Sequence, residues 1–225
     1  MQTMSSSFHR TMLVVQKEIK TECRSYYAMS ALFMFSLTTF TAISMSIGNL
    51  QLTPQLLAVL LWIILFFSAM TGLSRVFLQE QVSGTIQTLR AYSDAQPILF
   101  GKFIYNFLLL NILTLFLLPL FVIVLNVDIY HPLLLLLIFF MGNAGIAMIT
   151  TLIASMIIYT QMQNALFTVL SFPLILPIFL FCIQLTEAVF VPDTFMLQQP
   201  LVFIFIYDLV MIGIASILFD YIWYD

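Results

Sequence analysis

Six apolar runs, each of roughly twenty residues, constrain this chain more than any other feature it has. A helix of that length crosses the ~30 Å hydrocarbon core of a bilayer, whereas a membrane barrel is built from ~10-residue segments of alternating polarity. The runs are Tyr26–Gly48, Pro54–Ser74, Gly101–Leu125, Leu133–Tyr159, Leu166–Thr186 and Leu201–Tyr224. They predict an all-α membrane protein of six transmembrane helices, folded as one domain over the 225 residues. Only 8% of residues are charged, against about 25% in a soluble domain, and the mean hydropathy is +1.10. So little sequence lies outside the runs that no room is left for a soluble catalytic domain. Cys23 and Cys182 stand far apart, without the spacing of a zinc site or a redox pair. The first twenty-odd residues are mixed polar and lack the apolar centre of a cleavable signal peptide.

Residues 1–25 form an amphipathic lead-in. Phe8, Met12, Val15 and Ile19 share one helical face, and Arg10, Lys17 and Arg24 recur every seven residues on another. The pattern fits a helix lying flat in the headgroups with its cations near anionic lipid; a solvated lead-in to the first span is the alternative. All seven Lys and Arg (Arg10, Lys17, Lys20, Arg24, Arg75, Arg90 and Lys102) lie before the first span or around the connection between the second and third. The positive-inside rule therefore puts the amino terminus and that connection in the cytoplasm. Six spans return the carboxyl terminus to the same side. Asn126–Pro132 and the segment Glu187–Pro200 then face outward.

That connection, residues 75–98, is the longest polar interruption in the chain. Leu78, Val82, Ile86 and Leu89 recur at helical spacing and predict a short polar helix with one thin apolar seam. Such an element suits docking into a groove on a soluble partner. An interfacial helix against the headgroups, or a plain connector, fits the spacing equally.

Little else carries chemistry. Nothing matches the GxxxxGK[ST] phosphate loop, and HExxH, GxSxG and CxxCH are absent. No span holds a histidine or lysine at its centre to serve as base, so the chain is not expected to be an enzyme. His131 could ligate a metal or haem iron, but beside Pro132 it reads equally as an interfacial polar group, and no metal site is expected. Asp208 is the eighth residue of the sixth run. An ionisable group there costs roughly 2.5–3.5 kcal/mol unless paired or hydrated, so it serves either function or a packing bond. Gly142 and Gly145, with Ala144 and Ala147, offer a small-residue face for close helix contact, inside one chain or across a dimer seam. Pro119 is expected to kink the third span. Pro173 and Pro177 are expected to interrupt the fifth and let it hinge. Arg75 would snorkel at the end of the second span or pair with Glu80.

Taken in order, the blocks LSRVFLQEQVSGTIQTL (Leu73–Leu89), MGNAGIAMITTLIA (Met141–Ala154) and FPLILPIFLF (Phe172–Phe181) resemble the heme exporter protein B family. These are permeases of the ABC-2 exporter class that serve cytochrome c maturation. Ser83 and Gln87 stand where the family often has acids. The resemblance implies that the connection is a coupling helix received by a separate ATP-binding subunit, the family's A protein. It would contact that subunit through Arg75, Phe77, Glu80, Val82, Gly84, Thr85, Ile86 and Leu89. It also implies a haem-handling C protein, a small D protein and a second copy of the chain as partners, with no role for nucleic acid. The chain itself would bind no cofactor: ATP belongs to the partner, and haem is a possible substrate. The membrane would be the bacterial inner membrane, or the mitochondrial inner membrane. The output would be haem export or release of a haem-loaded chaperone. Two other classes stay open: a proton- or ion-coupled carrier centred on Asp208, and an assembly scaffold without transport.

Overall fold

In lipid a backbone has no water to bond, so each long apolar run must close its hydrogen bonds internally as a helix. The computed structural model describes residues 2–48, 52–74, 76–77, 80–81, 84–86, 89, 94–158, 163–192 and 198–224. Seven helices account for nearly all of these: α1 Gln2–Ser25, α2 Tyr27–Ile47, α3 Pro54–Leu73, α4 Ala95–Leu125, α5 Pro132–Met156, α6 Gln163–Val189 and α7 Gln198–Tyr224. No strand occurs among the described residues. The last six helices are long and apolar enough to cross a membrane, as the six runs predict.

Local chemistry sets several of the ends. Thr53 caps α3 by accepting from the Leu56 amide at 3.3 Å, and Pro54 follows in the first turn, where its missing N–H is no loss. Tyr26 turns α1 into α2 in a single residue held in the left-handed region at φ 51°. Asn126 ends α4 the same way at φ 50°.

The bundle is layered by burial. α3 and α5 each bury 61% of their most apolar stretch, against 17% for α2 and 22% for α7. α5 is thus the centre, touching α3, α4, α6 and α7, while α2 and α7 form outer walls and α1 lies along α4. Small residues allow this crowding. A Cβ on Gly142 would lie 2.5 Å from the Trp62 ring and 2.8 Å from Cys182 Sγ; one on Gly145 would collide with Ile178 and Asp208. Gly72 receives Leu32 of α2 in the same manner, and Gly101 receives Val14 of α1 at 2.6 Å.

Polar pins add register. The Asn106 amide donates to Thr151 Oγ1 at 2.8 Å and the Asn143 amide to Thr114 Oγ1 at 3.0 Å. Moving from Asn106 to Thr114 along α4 matches moving from Thr151 back to Asn143 along α5, so the two helices are antiparallel neighbours. Trp62 Nε1 donates to Thr186 Oγ1 at 2.9 Å, pinning α3 to α6.

Gln96, near the start of α4, donates to Ser216 O at 3.0 Å and to Asp220 Oδ2 at 2.9 Å near the end of α7. The start of α4, the end of α7, α1 and the polar connection therefore share one end of the bundle, here the basic end. At the opposite end the Tyr130 amide donates to Val189 O at 3.2 Å, joining the loop that follows α4 to the last residue of α6.

Three expectations change. The helix that carries the third span starts at Ala95, ahead of Gly101, so helix takes over from the polar connection directly after Asp94. A helix already under way is cheaply extended, and Pro97 sits in its first turn, where proline is tolerated. α6 is not interrupted: it runs unbroken as α-helix through Pro173 and Pro177, as α4 does through Pro119. Among the described residues between 76 and 89, the path is not that of one straight helix. Gly84 N donates to Gln81 O at 3.2 Å and Thr85 N to Glu80 O at 3.0 Å, with Gly84 at φ 68°. These two bonds around a left-handed glycine end a helical turn, and a second turn begins at Thr85, whose carbonyl accepts from Leu89 N at 2.9 Å. The described residues of the connection thus bend at Gly84, as an elbow.

Candidate functional site: a buried ion cluster beneath the elbow

The elbow is held from below by a lysine. Lys102 lies about two helical turns inside α4, fully buried, and all three of its ammonium donors are used. They reach Glu18 Oε1 of α1 at 3.0 Å, Glu80 Oε1 of the elbow at 2.8 Å and the Val76 carbonyl at 2.6 Å. The Phe77 ring covers the same ammonium, with 4.5 Å from Nζ to its centroid. Phe77 in turn leans on Phe219 of α7, which stacks on Trp223. One side chain thus ties α1, the elbow and α4 together, and its aromatic cover adds α7.

Lys17 completes the cluster from the aqueous side, bonding Glu80 Oε1 and, at 3.2 Å, Glu18 Oε1. One turn further along α1, Glu22 accepts from Tyr105 Oη of α4 at 3.2 Å and from the Met29 amide at 2.8 Å. That second bond satisfies an orphan donor in the first turn of α2. Glu18 and Glu22 are buried, with Val14 and Val15 on the same face, so α1 presents a partly acidic face to the protein. Its most apolar side chains, Phe8, Met12 and Ile19, are instead exposed, which suits contact with lipid. Arg10 pairs with Asp94 at 2.7 Å, an exposed contact worth at most ~1 kcal/mol. Two of the three cations at seven-residue spacing therefore meet protein carboxylates rather than headgroups.

The electrostatics follow from this geometry. Burial by itself would raise the Glu80 pKa, but the charges of Lys102 and then Lys17 outweigh it and hold the group at about 2, below its ordinary 4.5. For Lys17 burial opposes the charge, and Glu18 with Glu80 raises its pKa nonetheless. A carboxylate depressed in the fold stabilises it above the ordinary value and loses that contribution as pH falls towards the depressed one. The elbow should therefore stay attached at pH 5 and above and loosen between pH 4.5 and about 2. Protease cleavage of the elbow in lipid nanodiscs, followed against pH, reads this directly. Glu80→Gln should remove the dependence in that window.

A family model described as CcmB protein matches residues 9–218. The chain belongs to the CcmB family. No curated protein matches the chain. It is a multi-pass membrane permease component of the haem-export and cytochrome c maturation ABC system.

In this CcmB chain the residues expected at the partner surface divide in two. Phe77, Glu80 and Ile86 are buried against the chain's own helices, and Leu89 is half-buried, whereas Gly84 and Thr85 are exposed at the tip of the elbow. Arg75 and Val82 lie outside the described residues, as do Leu78, Ser83 and Gln87 and any pairing of Arg75 with Glu80. Gly142 and Gly145 sit at helix crossings within the chain. Asp208 is half-buried in α7 with its Oδ1 against Gly145 and, among the described residues, without a hydrogen-bond partner. His131 is exposed just before α5 and makes no side-chain cap bond. No group of three or more His, Cys, Asp or Glu gathers as a metal site among the described residues.

Sequence reasoning overlooked Glu18, Glu22 and the inward role of Lys102. A signal was present: two acids one turn apart beside Val14 and Val15, and a lysine inside an apolar run, both of which demand partners. Which carboxylate meets which cation is decided only when α1 lies along α4.

Proposed function

We propose that the elbow is the coupling element of this permease, received by a separate ATP-binding subunit, and that the Lys102 cluster passes its movement to α1 and α4. The observation that carries the reading is the pairing of an exposed tip, Gly84–Thr85, with a root held to α1 and α4 by the ion cluster and to α7 by the Phe77–Phe219 contact. A push on the tip acts on a rigid lever, because breaking a buried ion pair costs several kcal/mol. In this reading the basic end and both termini are cytoplasmic, in the bacterial inner membrane, since all seven cations lie on that side of the spans. Nucleotide stays on the partner and the chain itself holds no cofactor. The complex contains two copies of the chain with the haem-handling C protein and the small D protein. Haem is its substrate, or its motion releases a haem-loaded chaperone.

The test is ATP hydrolysis by the reconstituted complex. Gly84→Pro puts a residue locked near φ −65° where the elbow needs +68°. It should abolish stimulation of the ATPase while the chain still enters the membrane, and Thr85→Cys should crosslink to the ATP-binding subunit. Full stimulation in Gly84→Pro defeats the proposal. Asp208→Asn separates the carrier reading: lost function with unchanged ATP hydrolysis would favour it.

A further inference from the structure

α1 carries four cations, and two of them have protein carboxylates: Arg10 with Asp94 and Lys17 with Glu18 and Glu80. Lys20 and Arg24 have none among the described residues, although they stand four apart on one helix face, where like charges repel. Together with Lys17, Thr21 and Ser25 they line an open concavity on the exposed side of the helix. Immediately round the helix, about 60° from Lys20 at 3.6 residues per turn, comes Cys23. There a groove of 170 Å³ begins between α1 and α4.

The groove is apolar. Ile19, Cys23 and Tyr26 form one wall, and Leu108, Leu109 and Ile112 form the other. Its polar neighbours Glu22 and Tyr105 are bonded to each other, and Glu22 also to Met29, so they offer an occupant little. Between Tyr105 and Ile112 it descends about 10 Å along a spanning helix, at 1.5 Å per residue. Ile19, Leu108 and Ile112 are 40–44% exposed, so it opens sideways towards lipid rather than into the bundle. An uncompensated cation pair at the headgroup level and an apolar furrow leading from it towards the bilayer centre together describe an amphiphile with an anionic head.

We propose that this corner holds one anionic phospholipid, its phosphate between Lys20 and Arg24 and one acyl chain in the groove. The lipid would brace α1 against α4 from the side opposite the ion cluster.

The experiment uses the full chain purified in detergent, exchanged into nanodiscs of dioleoyl phosphatidylglycerol or dioleoyl phosphatidylcholine, released and weighed by native mass spectrometry. The wild-type chain should retain one phosphatidylglycerol in preference to phosphatidylcholine. Each cation near an anionic headgroup contributes about 1 kcal/mol. Lys20→Gln with Arg24→Gln should therefore weaken retention of phosphatidylglycerol roughly 30-fold and remove the preference. Ile112→Trp, which fills the groove, should reduce retention of both lipids. Equal retention of the two lipids by the wild-type chain would mean ordinary annular lipid and overturn the proposal. Competition by inorganic phosphate at millimolar concentration would reduce it to a bare anion site and do the same. Displacement by a porphyrin without any effect of the charge variant would assign the groove to another ligand, and also defeats it. None of these readouts involves ATP hydrolysis, so failure here leaves the coupling proposal untouched, and the reverse.

Discussion

Replacing Lys102 by methionine is expected to destabilise the chain by about 3–5 kcal/mol, the largest loss of any single substitution at the basic end. Methionine fills the volume of the lysine stem, so packing is nearly kept and the loss is electrostatic. Glu18 and Glu80 would remain buried, and their one other cation, Lys17, has a side chain 43% exposed to solvent. A second set of changes isolates the cause. Lys102→Met combined with Glu18→Gln and Glu80→Gln should recover most of the loss, because a buried ion cluster exchanged whole for neutral groups is often close to neutral. Unfolding of the chain in nanodiscs, followed by denaturant and by cleavage of the elbow, measures both. A single-variant loss below about 1 kcal/mol would mean that the cluster is not a clamp.

Gly142→Val is expected to cost about 3 kcal/mol, at the upper end of what overpacking does. The added side chain enters the centre of the bundle, where α5 crosses α3 and α6. Its Cβ would meet the Trp62 ring at 2.5 Å and Cys182 Sγ at 2.8 Å. The indole cannot step aside: it is fully buried, lies 5.4 Å from the Phe139 ring and donates to Thr186. Gly145→Ala, three positions on, should cost much less, about 1 kcal/mol. The atoms in its way, Asp208 Oδ1 and Ile178 Cδ1, are ends of side chains that can rotate. Trp62→Phe should return part of the Gly142→Val loss by making room, despite breaking the bond to Thr186. Equal unfolding midpoints for Gly142→Val and Gly145→Ala would show that the crossing is looser than this geometry.

The two predictions draw on different kinds of residue, and the sequence disclosed them unequally. Gly142 and Gly145 were legible as a close-contact face, because small residues clustered in an apolar run have few other uses in lipid. What they touch was not legible, since Trp62, Cys182, Ile178 and Asp208 come from three other helices. Lys102 was visible as a charge at the mouth of a span, yet its partners lie 84 and 22 residues away. Glu80 was misread by one step. The family resemblance implied a partner-facing carboxylate there, and the tertiary structure turns it inward, where two lysines receive it.

The prolines of α6 carry a related lesson. Proline removes one backbone bond and crowds the preceding turn, so two in one span suggest interruption. Neighbouring helices on both sides of α6 hold it to a continuous path instead.

The amino-acid sequence alone determined the number of spans, the helical class, the concentration of positive charge at one end and the family. Each follows from local and additive properties: run length against bilayer thickness, backbone bonds that must close within a segment, and the order of short blocks. Only the tertiary structure decided that the polar connection bends at Gly84, that its acid faces inward and that α1 is fastened to α4. Those outcomes depend on which distant groups meet, and the strength of a buried charge pair has no counterpart in either partner's local sequence.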